Sequence, residues 1–192
     1  MLQSIILGEM SVVSRSIESV DIRKRLATNI NVIRNLIDSW PLNRNNIEYW
    51  SDNIIDGIWL GNWQSAHDSL DVKNKRISLI VNATHNINDN TMIVCSRFRV
   101  PLSEKKPCNL NTLSQIEEAA DVIKKHVDNN KQILVHCKNG HHRSASIVAL
   151  YLIKYRNMDL YQAIEFIKTR RPTAFRRMSC FVELASLWDL IK

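Results

Sequence analysis

The segment Val135-His136-Cys137-Lys138-Asn139-Gly140-His141-His142-Arg143-Ser144 holds the residues with the clearest chemical potential. An aliphatic run, Ile133-Leu134-Val135, ends at a cysteine. A short loop with one glycine follows, and a helical pattern begins near Arg143. Such a loop turns its backbone N–H groups toward a common centre at the positive end of the new helix. Gly140 can take a backbone conformation that other residues resist. Together these features predict a cup for a tetrahedral dianion, lined by Lys138, Asn139, Gly140, His141, His142 and Arg143. A cysteine at its base gains from the amides and the helix terminus, so Cys137 is expected to titrate well below free cysteine and to act as a nucleophile. The planar guanidinium of Arg143 can grip two phosphate oxygens and stabilise charge on the equatorial oxygens of a transition state. The competing reading is a buried structural cysteine beside an ordinary surface arginine.

Elements must exist to hold that loop. Aliphatic runs predict strands at 58–60, 78–82, 93–100 and 133–135. Helical periodicity predicts helices at 113–127, 143–155, 160–168 and 181–191. Strands alternating with helices make an α/β domain with a central, mostly parallel sheet flanked by helices. Ile22, Leu26, Ile30, Ile33, Ile37 and Trp40 line one face of a further helix within residues 11–40, which Pro41 stops. A polar linker at 43–46 then divides the chain into an N-terminal helical extension, 1–46, and a catalytic domain, 47–192.

The 192 residues carry 45% hydrophobic and 23% charged side chains, which excludes a disordered chain. The charge of +7 favours anionic partners without choosing among phosphorylated substrates, nucleic acid and acidic membrane surfaces. Four cysteines without a CxxC pair exclude a disulfide scaffold and a zinc finger. They are expected to be free, in a reducing compartment. The N-terminus lacks a signal-peptide pattern, and no run is long enough to span a membrane. The expectation is a soluble cytoplasmic protein without membrane insertion. No metal-ligand cluster appears, and thiolate–guanidinium chemistry needs no cofactor.

Cys137 and Arg143, six apart, form the Cys-(x)5-Arg signature of cysteine-dependent protein tyrosine phosphatases. The wider pattern His136-Cys137-x-x-Gly140-x-x-Arg143-Ser144 resembles their dual-specificity branch. Ile54-x-Asp56-Gly57-Ile58-x-Leu60-Gly61-Asn62, Ile80-Val81-Asn82-Ala83-Thr84, Met158-Asp159-Leu160-x-x-Ala163 and Arg171-Pro172 extend the likeness over about residues 50–190. The resemblance implies a protein tyrosine phosphatase-like fold and hydrolysis of phosphotyrosine and phosphoserine/threonine in proteins through a phosphocysteine. It implies that Ser144 hydrogen-bonds the sulfur and eases its departure, against the alternative of a plain helix N-cap. It implies that His136 supports the loop. The adjacent His141 and His142 either add charge at the anion, line the mouth, or are exposed loop imidazoles.

The family's general acid is an aspartate following an aliphatic-Pro-aliphatic stretch. Here Val100-Pro101-Leu102-Ser103-Glu104 puts Glu104 at that position, with a longer reach; a solvated loop carboxylate is the alternative. Met178 stands where the family carries a loop-bracing asparagine. Cys108 is either a resolving thiol for Cys137 or incidental, while Cys95 and Cys180 read as core. Lys105, Lys106, Arg170, Arg171, Arg176 and Arg177 read as a basic rim. The apolar face of the N-terminal helix either folds back on its own domain or pairs with another copy; some viral relatives dimerise through an N-terminal helix, so the resemblance raises a homodimer. Nineteen asparagines with many Ile and Lys hint at an AT-rich viral source. Alternatives to a protein phosphatase are an RNA 5′-phosphatase or other non-protein phosphatase, which the basic charge would suit, and a phospho-binding pseudophosphatase.

Overall fold

The structure, a computed structural model, describes residues 18–41, 50–104, 108–177 and 179–183, with side chains from residue 24 onward. The expected helical turns at 11–17, the linker at 43–46, Lys105, Lys106, Met178 and the last helix beyond 183 lie outside the described residues.

Helix α1 runs Glu18–Ser39. Strands β1, Ser51–Ile55, and β2, Ile58–Gly61, follow. Short helices α2, Trp63–His67, and α3, Ser69–Asn74, lead to β3, Ile77–Asn82, and β4, Ser96–Arg99. Helix α4, Leu110–Val127, precedes β5, Gln132–His136; α5 is Arg143–Tyr155 and α6 Leu160–Arg170. The sheet order is β1-β2-β5-β3-β4. Only β1 pairs antiparallel, with β2; the other three pairings are parallel. The expected α/β architecture is therefore the observed one.

The apolar runs work in the sheet because successive side chains face opposite ways. Ile58, Leu60, Leu79, Val81, Ile133 and Val135 enter one core with α1, α4, α5 and α6. Ile80, Leu134 and Trp59 enter a smaller core on the opposite face, with Ala66, Val72 and Ile93. Helix α5 is buried continuously from Arg143 to Ile153, as expected of a helix apolar on nearly all sides. Asn109 with Thr112 and Asp159 with Gln162 form capping boxes that start α4 and α6. The α4 box begins that helix three residues before the predicted Leu113.

Two differences from the expected elements, and the packing of α1, have physical causes. The run at 93–100 is a strand only over Ser96–Arg99, because Arg97 folds back and donates to the carbonyls of Asn90, Ile93 and Cys95, holding them in a turn. Strand β1 was not predicted, since Ser51-Asp52-Asn53 is polar. It forms by hairpin pairing through Asp56 and Gly57, both at positive φ (44° and 80°). The stripe on α1 is covered by its own domain: Leu26, Ile33, Leu36 and Ile37 are buried in the main core beside α6. Among the described residues no helix is long and apolar enough to cross a membrane.

Candidate active site

The site forms at the carboxyl ends of the parallel strands, where open α/β sheets bind ligands. Strand β5 delivers Cys137, and the segment after β4 delivers Glu104. Strand β3 ends alongside, where Ala83 N–H donates to the His136 carbonyl at 2.8 Å. The loop from Cys137 to His142 connects β5 to the N-terminus of α5. Gly140 sits at φ +70°, and a Cβ there would lie 2.6 Å from the carbonyl oxygen of Gly61. Glycine is therefore required for both conformation and space.

Cys137 is 1% exposed at the floor of this loop. Its Sγ accepts from the Gly140 N–H at 3.2 Å and from the Ser144 hydroxyl at 3.2 Å. Burial pushes the thiol up. The hydroxyl and N–H of Ser144, the Arg143 charge and the Gly140 N–H outweigh it and hold Cys137 below the usual thiol range. Helix α5 starts at Arg143 with His142 at its N-cap, so Ser144 is not the cap.

Arg143 is also buried, and its Nε lies 3.3 Å from Glu104 Oε1, an ion pair outside hydrogen-bond geometry. Two residues 39 positions apart are thus brought together, with the Glu104 side chain 42% exposed. Val100 and Leu102, both buried, anchor the segment that carries it.

The two histidines of the loop differ. His141 is half-buried, whereas His142 is buried, and burial pushes His142 down to about 4 against the opposing charge of Glu104. His142 is therefore neutral near pH 7 and is neither an added charge nor an exposed imidazole. Burial likewise holds His136 at about 4, with its Nδ1 3.3 Å from the Cys137 carbonyl. Lys138 and Asn139 project their side chains into solvent, so their backbone is what faces the cup.

Two expectations about other residues are corrected. Cys108 and Cys180 are joined in a disulfide, with Cα atoms 5.7 Å apart, so Cys108 does not pair with Cys137 and only Cys95 and Cys137 are free thiols. Arg171 is not part of a basic rim: it is 1% exposed and points at the loop. Lys168 is buried too, with Nζ donating to the carbonyls of Ala174 at 3.0 Å and Phe175 at 3.5 Å. Charge runs in sequence read as solvated faces, and only the carbonyls these side chains meet reveal otherwise. Among the described residues no group of three or more His, Cys, Asp or Glu side chains could hold a metal.

The family model of the dual specificity phosphatase catalytic domain matches residues 58–187. The chain is 31% identical to human dual specificity protein phosphatase 21 over 124 residues, covering 65% of this chain and 64% of that protein. A match at 31% identity to human dual specificity protein phosphatase 16 covers only 18% of that protein. A putative tyrosine phosphatase of Invertebrate iridescent virus 6 is 26% identical, over 69% of this chain and 87% of the viral protein. The crystal structure of human DUSP28 superposes with a TM-score of 0.66 at 22% identity, covering 73% of this chain and 94% of that one. The fold, the strand-loop-helix that carries Cys137 and the extent of the family match agree: the chain belongs to the dual specificity phosphatase family.

Proposed function

We propose that this chain is a cysteine-dependent protein phosphatase acting on phosphotyrosine and phosphoserine/threonine, with residues 47–192 as its catalytic domain. The observation that carries the reading is the buried Cys137 sulfur, held below the usual thiol range by donors from Gly140 and Ser144 beside Arg143. The loop amides and Arg143 would hold the three non-bridging oxygens of a phosphate ester above it. The Cys137 thiolate attacks phosphorus as the bond to the leaving oxygen breaks, and Glu104, protonated, gives that oxygen its proton. Water then attacks the phosphocysteine, Glu104 takes the water's proton, and the sulfur leaves as a thiolate stabilised by the Ser144 hydroxyl. His136, under the loop, and His142, at the N-cap of α5, stay neutral.

The proposed setting is the cytoplasm, where Cys137 would stay reduced and the Cys108–Cys180 disulfide would be a reversible link in exchange with the thiol pool. A homodimer through α1 would use the exposed edge of the helix at Val32, which is 47% exposed beside the start of α6, because the inner stripe is packed in the main core. Light scattering on the full chain tests it, and a monomer excludes it.

The test of activity is hydrolysis of an aryl phosphate by wild type and Cys137→Ser, with phosphopeptides, 5′-triphosphate RNA and inositol phospholipids in parallel. Cys137-dependent turnover that favours phosphopeptides is expected. Turnover of RNA or lipid alone would move the substrate class, and no Cys137-dependent turnover would overturn the enzyme reading.

A further inference from the structure

The phosphate loop is held from outside by its carbonyls. Trp63 N–H donates to the Lys138 carbonyl at 3.2 Å, and Phe175 N–H to the His141 carbonyl at 2.7 Å. Between them, Arg171 takes two: its Nε donates to the Gly140 carbonyl at 3.1 Å, and one Nη makes a longer contact of 3.4 Å with the Asn139 carbonyl. In a trans peptide the C=O and the following N–H point in opposite directions, and none of the described peptide bonds is cis. Each carbonyl drawn outward therefore commits the next N–H inward. Arg171 sets two of these amides, those of Gly140 and His141. The Gly140 N–H is the one that reaches the Cys137 sulfur.

Arg171 comes from the end of α6, and its other Nη donates to Asp52 Oδ2 on β1 at 2.6 Å. The guanidinium is 1% exposed, and an unpaired charge there would be costly. Asp52, only partly exposed, supplies the pairing carboxylate from the edge strand. The planar fork of arginine suits this task, since it can meet adjacent carbonyls and a carboxylate at once, and lysine cannot. The fit is close: a Cβ on Gly140 would lie 2.8 Å from an Arg171 Nη.

We propose that Arg171 and Asp52 are a positioning pair that aims the inward N–H groups of the phosphate loop, and so sets its affinity for a phosphate dianion and the thiolate character of Cys137. For its link to turnover the inference rests on the phosphatase reading, but neither of its primary readouts needs turnover.

The experiment uses the full chain and inorganic phosphate as probe. Phosphate affinity is measured by calorimetry on wild type, Arg171→Met, Arg171→Lys and Asp52→Asn, each checked for folding by circular dichroism. The pH profile of iodoacetamide alkylation at Cys137 is followed on the same proteins by mass spectrometry of the Cys137 peptide. Arg171→Met is expected to weaken phosphate binding about tenfold or more, the scale of a lost charge-assisted hydrogen bond, and to move the alkylation midpoint to higher pH. Arg171→Lys should recover part of the loss, and Asp52→Asn should show a smaller shift of the same sign. If Arg171→Met does not fold, the two milder variants decide. Folded Arg171→Lys and Asp52→Asn proteins with wild-type phosphate affinity and alkylation profile would overturn the proposal. Phosphate affinity that responds to Arg171 in a wild type without turnover would instead overturn the phosphatase reading and leave the positioning pair standing.

Discussion

The loop proposed to cradle phosphate and the segment proposed to carry the proton donor are built differently. Lys138, Asn139, Gly140 and His141 each have the carbonyl tied from outside, and Cys137 and Ser144 are buried beneath them. In the segment that carries Glu104, Val100 and Leu102 are buried, whereas the Glu104 side chain is 42% exposed beside Arg143. Preorganised donors act without reorganisation cost, whereas a half-exposed carboxyl must find its position in each cycle. On the proposed mechanism, anion binding and nucleophilic attack would be fixed by the fold, and protonation of the leaving group would be the tolerant step.

The largest expected effect comes from the rigid half. Cys137→Ser should abolish turnover, a loss of roughly 10⁵ or more in kcat in a steady-state aryl phosphate assay. Arg143→Lys keeps the charge but loses the fork, and should cost about 10²–10⁴ in kcat/KM. The exposed Glu104 should respond according to substrate. Glu104→Gln is expected to lower kcat by about 10² for alkyl phosphates such as phosphoserine peptides, and by less than about tenfold for nitrophenyl phosphate, whose leaving group needs little protonation. Equal losses on both substrates would break the contrast. Ser144→Ala should slow dephosphorylation of the enzyme about tenfold, seen as a burst of phenol followed by a slower steady rate.

The last expected effect is on stability rather than on rate. His136 and His142 are each held at about 4 in the folded chain, against an ordinary value of 6.5. Between those values the unfolded chain binds more protons, so stability rises with pH across that window and is lost as pH falls through it. For the buried His136 the loss by pH 4 is on the order of 3 kcal/mol. Urea midpoints measured between pH 7 and 4 should fall below about 6.5. A flat profile would mean that the scaffold behind the loop is not closed to solvent as described.

Much of the rigid half was legible in the residues. The aliphatic runs at Ile58–Leu60, Ser78–Asn82 and Ile133–Val135 form β2, β3 and β5, because their side chains meet an apolar core on each face of the sheet. Spacing alone put Cys137 and Arg143 on one loop. The braces were not legible. Arg171 and Lys168 sit among other basic residues, and nothing local marks them as buried; their partners are carbonyls, which carry no side-chain signal. Asp52 lies in a polar stretch that becomes a strand only by pairing with β2. The Cys108–Cys180 link joins residues 72 apart, a closeness set by tertiary packing.

The most direct test of the account is to trap the proposed covalent intermediate. Ser144→Ala enzyme would be mixed with a phosphotyrosine peptide, quenched in acid within milliseconds, and mapped by mass spectrometry. The account predicts phosphate on Cys137, accumulating to a large fraction of enzyme in Ser144→Ala and absent in Cys137→Ser. Peptide hydrolysis with no phosphate on Cys137 at any time point, or with phosphate on another residue, would contradict it.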